Sequence, residues 1–253
     1  MTNKLVMVLA SGVLGIALPL LEADGPEAKG PKKSFDVTSM ERVNFLPGGT
    51  IHLDHSYGNL TVEGWDEPEV EITVTKSTDG FYEPEKKDEA KRRFDQIRVA
   101  TERRSDKELA ILTTVPVRKS RFSHLGRVFV TRPDKLGVTV DYKVLVPRDS
   151  RLVVHHDHGY VWVSDVTGDI DVNSHTGDMI VVLPDPGIYS IDAKSRMGNV
   201  SSESTGTSHN QFLVGHQFAY PSQVSSRRII HLRMGCGSIT IKQSPQSGPY
   251  EKN

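Results

Sequence analysis

Along most of this chain apolar and polar residues alternate, and a glycine opens each alternating run. Gly49 leads Ile51 and Leu53, Gly58 leads Leu60 and Val62, and Gly159 leads Val161 and Val163. The arrangement recurs at Gly168 with Ile170 and Val172, Gly177 with Met179 and Val181, and Gly187 with Tyr189 and Ile191. Gly237 leads Ile239 and Ile241, while Gly198 leads Val200 and then Ser202, the one polar residue among these positions. A period of two is that of a strand with one buried face, so each unit predicts a short strand entered through a glycine turn.

Between Gly159 and Gly198 the glycines fall every nine to eleven residues, room for about five residues of strand and four of turn. The expected fold class is therefore all-β. Short strands, glycine corners and one inward face favour a parallel β-solenoid, in which two or three strands make each coil. An antiparallel meander folded into a sandwich is the alternative.

Further strands are expected from Phe35 to Phe45, Val70 to Thr75, Ile97 to Thr101, Leu109 to Val115 and Val138 to Val146. One stretch breaks the pattern. Pro84 to Phe94 is dense in helix formers, with proline and acids early and Lys91 to Arg93 late, so a short exposed helix is predicted within an insert at about 83–96. It could cap an open end of the strand stack. Residues 204–227 read as a polar loop insert carrying Phe212, Phe218 and Tyr220, aromatics expected to pack over a core edge.

The start of the chain adds a location. Lys4 precedes an apolar run from Leu5 to Leu21, and Ala23 supplies a small residue at a cleavage position. Residues 1–23 read as a secretory signal peptide, since the run is short for a membrane span and contains Pro19. Residues 24–33 read as a disordered leader, 34–243 as a single β-repeat domain and 244–253 as a flexible tail. The expected location is the periplasm or the cell surface, with no integral membrane span in the mature chain.

Charge is nearly balanced, with a formal net of -1, so neither nucleic acid nor an anionic membrane is expected as a partner. It is, however, segregated. Arg118, Lys119, Arg121, Arg127, Arg132 and Lys135 face Asp134 alone, whereas seven aspartates and Glu203 between Leu152 and Glu203 face only Lys194 and Arg196. The lone cysteine, Cys236, excludes an internal disulfide and reads as a small buried side chain before a strand.

Several of these segments together resemble a family. They are Gly58-Asn59-Leu60-Thr61-Val62-Glu63-Gly64-Trp65, the run Val70 to Lys76, Tyr142 to Pro147 followed by Leu152-Val153-Val154, the units at Gly159, Gly168 and Gly177, and Ile239-Thr240-Ile241. In this order, over about residues 35–242, the chain resembles exported bacterial β-strand-repeat domains, labelled adhesins on architecture and otherwise a domain of unknown function. The resemblance implies a β-solenoid-like fold in the envelope or outside the cell, and supplies no ligand or site.

Histidines form the main cluster to test. His155-His156-Asp157-His158 precedes Gly159, His52-Leu53-Asp54-His55 precedes Gly58, and His175 precedes Gly177. His156 and His158 share one strand face, and with His175 they could bind zinc or copper; exposed polar positions near a turn are the competing reading. Asp165, Asp169, Asp171, Asp178 and Asp185 lack the nonapeptide of calcium β-rolls, so Asp169 and Asp171 read as the solvent side of a strand. Asp169, Asp171 and Lys194 could act together in an acidic-polysaccharide lyase or hydrolase. No nucleophile elbow, zinc-protease, phosphate-loop or dinucleotide motif is present. The expectation is a non-enzymatic envelope scaffold or adhesin-like binding surface. No catalytic, cofactor or metal residue is assigned, and its partner is an envelope protein or polysaccharide.

Overall fold

The computed structural model describes residues 35–78, 87–114, 137–203, 206–211, 215–221 and 228–244. The expected signal peptide, leader and basic stretch, Phe212, and most of the tail lie outside them. No helix among the described residues is long and apolar enough to cross a membrane.

The described chain is almost entirely β. Its strands are β1 (Asp36–Asn44), β2 (Thr50–Tyr57), β3 (Leu60–Trp65), β4 (Glu69–Thr78), β5 (Arg98–Ser105), β6 (Glu108–Thr114), β7 (Val138–Pro147), β8 (Arg151–His158) and β9 (Val161–Ser164). There follow β10 (Ile170–Thr176), β11 (Met179–Leu183), β12 (Tyr189–Met197), β13 (Val200–Ser202), β14 (Thr207–Gln211), β15 (Gly215–Tyr220), β16 (Arg228–Cys236) and β17 (Ile239–Gln243). One helix, α1 (Lys87–Phe94), interrupts them.

Among the described residues the strands form two mixed sheets. The eight-stranded sheet runs β1-β4-β7-β3-β9-β11-β17-β13, and the nine-stranded sheet runs β14-β15-β12-β16-β10-β8-β2-β6-β5. Pairing is parallel through the middle of both sheets and antiparallel only at their flanks: β1–β4, β4–β7, β5–β6, β12–β15 and β14–β15. A meander would be antiparallel throughout.

Alternation explains why the sheets face one another. Leu152, Val154, Ile170, Val172, Leu232 and Ile230 from the nine-stranded sheet are buried in one cluster with Leu60, Val62, Val161, Val163, Val181 and Ile241 from the eight-stranded sheet. The opposite residues of each strand point outward.

The glycines sort into two kinds that look alike in sequence. Gly49, Gly168 and Gly187 stand just before β2, β10 and β12, where the chain enters the nine-stranded sheet. Gly58, Gly159, Gly177, Gly198 and Gly237 sit at the corners where it crosses into the eight-stranded sheet, and all five have positive φ. These corners stack. A Cβ on Gly159 would lie 2.1 Å from the carbonyl oxygen of Gly58, and one on Gly177 would lie 1.9 Å from that of Gly159. Only glycine meets both demands, a left-handed backbone and a carbonyl where its side chain would be.

The stacking order is not the chain order. β16–β17, the last unit, lies between β10–β11 and β12–β13. The return from β11 to β12 makes this possible, because it is extended by Pro184 and a 3₁₀ turn at Pro186–Ile188 capped by Asp185. β12 thereby starts one strand position further out, and β16 fills the gap.

Both ends of the core are covered. At one end α1 buries Ala90 and Phe94, an i,i+4 pair, so the helix is half-buried rather than exposed. Phe94 stacks on Phe35 with ring centroids 5.5 Å apart, and Lys76 Nζ donates to the carbonyls of Phe94 and Ile97 at 2.9 and 2.6 Å. At the other end, part of the expected polar loop is the hairpin β14–β15, which adds to β12. Its Phe218 is buried, and Tyr220 packs against the core.

Candidate functional site

Three surfaces carry the chemistry worth weighing. They are the corner edge, the outer face of the nine-stranded sheet and the outer face of the eight-stranded sheet.

At the corner edge, the residue three before each corner glycine points inward. These residues are His55, His156, Ser174, Met234 and Ser195, aligned across the sheet in register and all buried. His55 Nε2 donates to the Val140 carbonyl at 2.6 Å, His156 Nε2 to the Gly58 carbonyl at 2.9 Å, and Ser195 Oγ to the Gly237 carbonyl at 2.7 Å. Each bond lands on the stacked carbonyl of an adjacent rung, so this ladder ties strand to corner. The Ser174 hydroxyl donates to His156 Nδ1 at 3.2 Å.

The two imidazoles stack 5.1 Å apart. Burial, reinforced by the neighbouring His156, drives His55 down to about 3, and burial also lowers His156. Among the described residues His55 Nδ1 finds no hydrogen-bond partner and is buried. Both nitrogens of His156 are engaged, which removes it as the metal ligand that its spacing from His158 suggested. His158 sits at the corner surface, its ring 5.9 Å from that of His175 and 6.2 Å from that of Tyr57. His155 and Asp157 face solvent. Among the described residues no group of three or more histidine, cysteine, aspartate and glutamate side chains could hold a metal ion.

Cys236 is exposed rather than buried. It is the last strand residue before a corner, where the chain leaves the core, and Met197 beside it in register is exposed for the same reason.

On the outer face of the nine-stranded sheet, the aspartates chiefly bind neighbouring strands. Asp169 accepts from the Ile229 N–H at 2.9 Å. At the turns, Asp178 accepts from the Ser238 N–H at 2.8 Å and Asp185 from the Gly187 N–H at 2.9 Å. Asp165 adopts a positive φ of 56° in the turn after β9. Asp171 and Lys194 are not brought together: they lie two strands and two residues apart, roughly 10 Å across and 7 Å along.

What meets Asp171 is His231, with Nδ1 3.2 Å from its Oδ1, and on the far side Asp192 lies 3.9 Å from His231 Nε2. Arg233 and Gln217 hold Asp192; burial pushes its pKa up, but the Arg233 bond and charge, with His231 and Gln217, together bring it below the ordinary value. Sequence spacing could not find this row, because its members come from three strands far apart in the chain. It is a half-exposed surface network, and such pairs are screened by water.

Among the described residues, the outer face of the eight-stranded sheet carries two exposed aromatic side chains. Tyr160, in the corner before β9, is 59% exposed, and Trp162 on β9 is 39% exposed. Val161 and Val163 between and beyond them are buried, so alternation forces the rings outward. Trp162 lies opposite Thr61 on β3 and Ile180 on β11, and Ile180 lies opposite Thr240 on β17. The outward phase was legible in Gly159-Tyr160-Val161-Trp162-Val163, yet sequence reasoning attended to the valines.

No family model matches the chain, and no curated protein does. Among solved structures, one provisionally named a cell adhesion protein, from Clostridium sporogenes, is 13% identical with a TM-score of 0.43, over 82% of this chain and 100% of that one. A provisionally named adhesin from Bacteroides fragilis is 12% identical with a TM-score of 0.28, over 82% and 97%. Another, from Parabacteroides distasonis, is 10% identical with a TM-score of 0.25, over 81% and 65%.

Proposed function

We propose that this chain is an exported, non-enzymatic protein of the cell envelope, a scaffold or adhesin-like module that binds through its strand faces. We read the stacked corner units as a flattened two-strand solenoid, coiled in chain order from β8 to β11 and completed out of order by β16–β17. The observation that carries the reading is the corner column. Carbonyl-on-glycine stacking, tied by the His55, His156 and Ser195 bonds, fixes neighbouring rungs to one another. A rigid, extended surface of this kind suits contact with a polymer or another protein. Of the three residues the sequence offers for catalysis, Asp169 accepts the Ile229 N–H, and Asp171 and Lys194 stand on strands two apart, which favours the binding reading.

Co-sedimentation of residues 24–253 with isolated envelope fractions tests the proposal. Retention that survives high salt is expected, because a shaped contact outlasts screening of surface charge. Retention abolished by salt, or none at any ionic strength, would overturn it.

A further inference from the structure

We propose that Tyr160 and Trp162 are the platform of a glycan-binding strip on the outer face of the eight-stranded sheet, taking an uncharged, extended β-linked polysaccharide. This rests on the binding-surface reading above and names its ligand class.

The platform is built, not incidental. The two outward positions flank inward Val161, so the two side chains leave the backbone about 7 Å apart along the chain, and one extended polymer lying along it can touch both. Among the described residues nothing accepts a hydrogen bond from Trp162 Nε1 or pairs with the Tyr160 hydroxyl, so both polar tips are available to a ligand. Carbohydrate rings present an apolar C–H face, which stacks on an aromatic plane, and a rim of hydroxyls, which needs donors and acceptors beside that plane. Thr61 supplies one directly beside Trp162; on the other side apolar Ile180 comes first, and beyond it lie Thr240 and Ser201, whose hydroxyls bond to each other at 3.4 Å.

Size argues against a protein partner at this spot. At 59% and 39% exposure the two rings offer on the order of 200 Å², against about 800 Å² per partner in a standard protein interface. Charge argues against an acidic polymer. On this stretch of the face, Lys143 is engaged by Glu63 at 3.7 Å, and the corner contributes Asp141 and Asp178, both accepting backbone N–H groups.

The test is depletion of the full-length chain onto microcrystalline cellulose and onto chitin, with W162A, Y160A and the double variant alongside. Tryptophan emission with soluble hexamers of the same sugars gives a second reading in W65F, which leaves Trp162 as the sole reporter of the 2 tryptophans. Retention on at least one polymer is expected. W162A should weaken it about tenfold, or about 1.4 kcal/mol, and Y160A somewhat less. Unfolding midpoints should not move, because both rings are on the surface. Failure of the unmodified chain to bind either polymer, or undiminished binding by the double variant, would falsify the strip. Envelope retention that persists in the double variant, with no polymer bound, would sink the strip alone and leave the binding-surface reading standing.

Discussion

The two edges of the strand stack solve one problem in opposite ways. At the corner edge the backbone itself is stacked: glycine carbonyls lie under glycine α-carbons, and buried side chains bond to them. At the return edge carbonyls also crowd two glycines, Gly168 against Ser150 and Gly64 against Asp165, each 2.0 Å from where a Cβ would lie, but neither has a positive φ. The turns there differ from rung to rung, and side chains fasten them as well. Arg148 reaches Asp66 at 2.7 Å and Asp165 at 3.8 Å, Asp185 caps a 3₁₀ turn, and the Tyr189 hydroxyl donates to the Val166 carbonyl at 3.1 Å. A backbone column admits one residue type and no insertion. Away from Gly64 and Gly168, side-chain fastening tolerates both, and the extended β11–β12 return lies there.

The sharpest break in this contrast is Gly177→Ala. The new Cβ would need a strained φ near 133° and would fall 1.9 Å from the Gly159 carbonyl oxygen. Strain alone costs about 1–3 kcal/mol and the overlap adds to it, so the variant should fail to yield folded protein at 37 °C, read by urea unfolding or by yield. A near-native midpoint would mean that the column is not the constraint described.

Next in size is the acid limb. His55 has a folded pKa of about 3 against 6.5 for the ordinary group. The unfolded chain therefore takes up its proton below pH 6.5 while the folded chain does not, and stability falls as pH drops through that window. The slope is about 1.4 kcal/mol per pH unit for each imidazole kept neutral. Urea midpoints at pH 7, 6, 5 and 4 should show this loss, and H55Q should flatten it; an unchanged slope in H55Q would assign the acid sensitivity elsewhere.

At the return edge effects should be smaller. Tyr189→Phe removes one buried bond and leaves the Val166 carbonyl without that partner, a loss of about 1–3 kcal/mol. Asp66→Ala should cost less than about 1 kcal/mol and less still in high salt, because Asp66 is 82% exposed. If Asp66→Ala proved as damaging as Gly177→Ala, the distinction between the edges would collapse.

Much of the fold could be read from local pattern, and particular residues show where reading stopped. Val161 and Val163 declared the inward phase of β9, which also placed Trp162 outside, since parity fixes both faces at once. The same parity aligns His156 with buried Leu152 and Val154, yet its place in the histidine cluster suggests a metal ligand or an exposed polar position near a turn, and it is buried. Nor does parity reveal the bonds to Gly58 and Ser174, which belong to other rungs. Parity misleads at a corner, where Cys236 follows buried Met234 at the inward spacing but the strand has already left the core. The glycine units read as eight equals, because a corner and a return turn have the same local grammar.

By itself, then, the sequence determined most of the strands, the inward face of those in the repeat units and the positions that must bend, because these depend on neighbours two to four residues away. It did not reveal the hairpin β14–β15. Only the tertiary structure decided which glycines stack, that β16–β17 enters between β10 and β12, and that His231 meets Asp171. Those outcomes depend on which strands share an edge, and parallel pairing joins residues far apart in the chain, leaving no local mark of the partner.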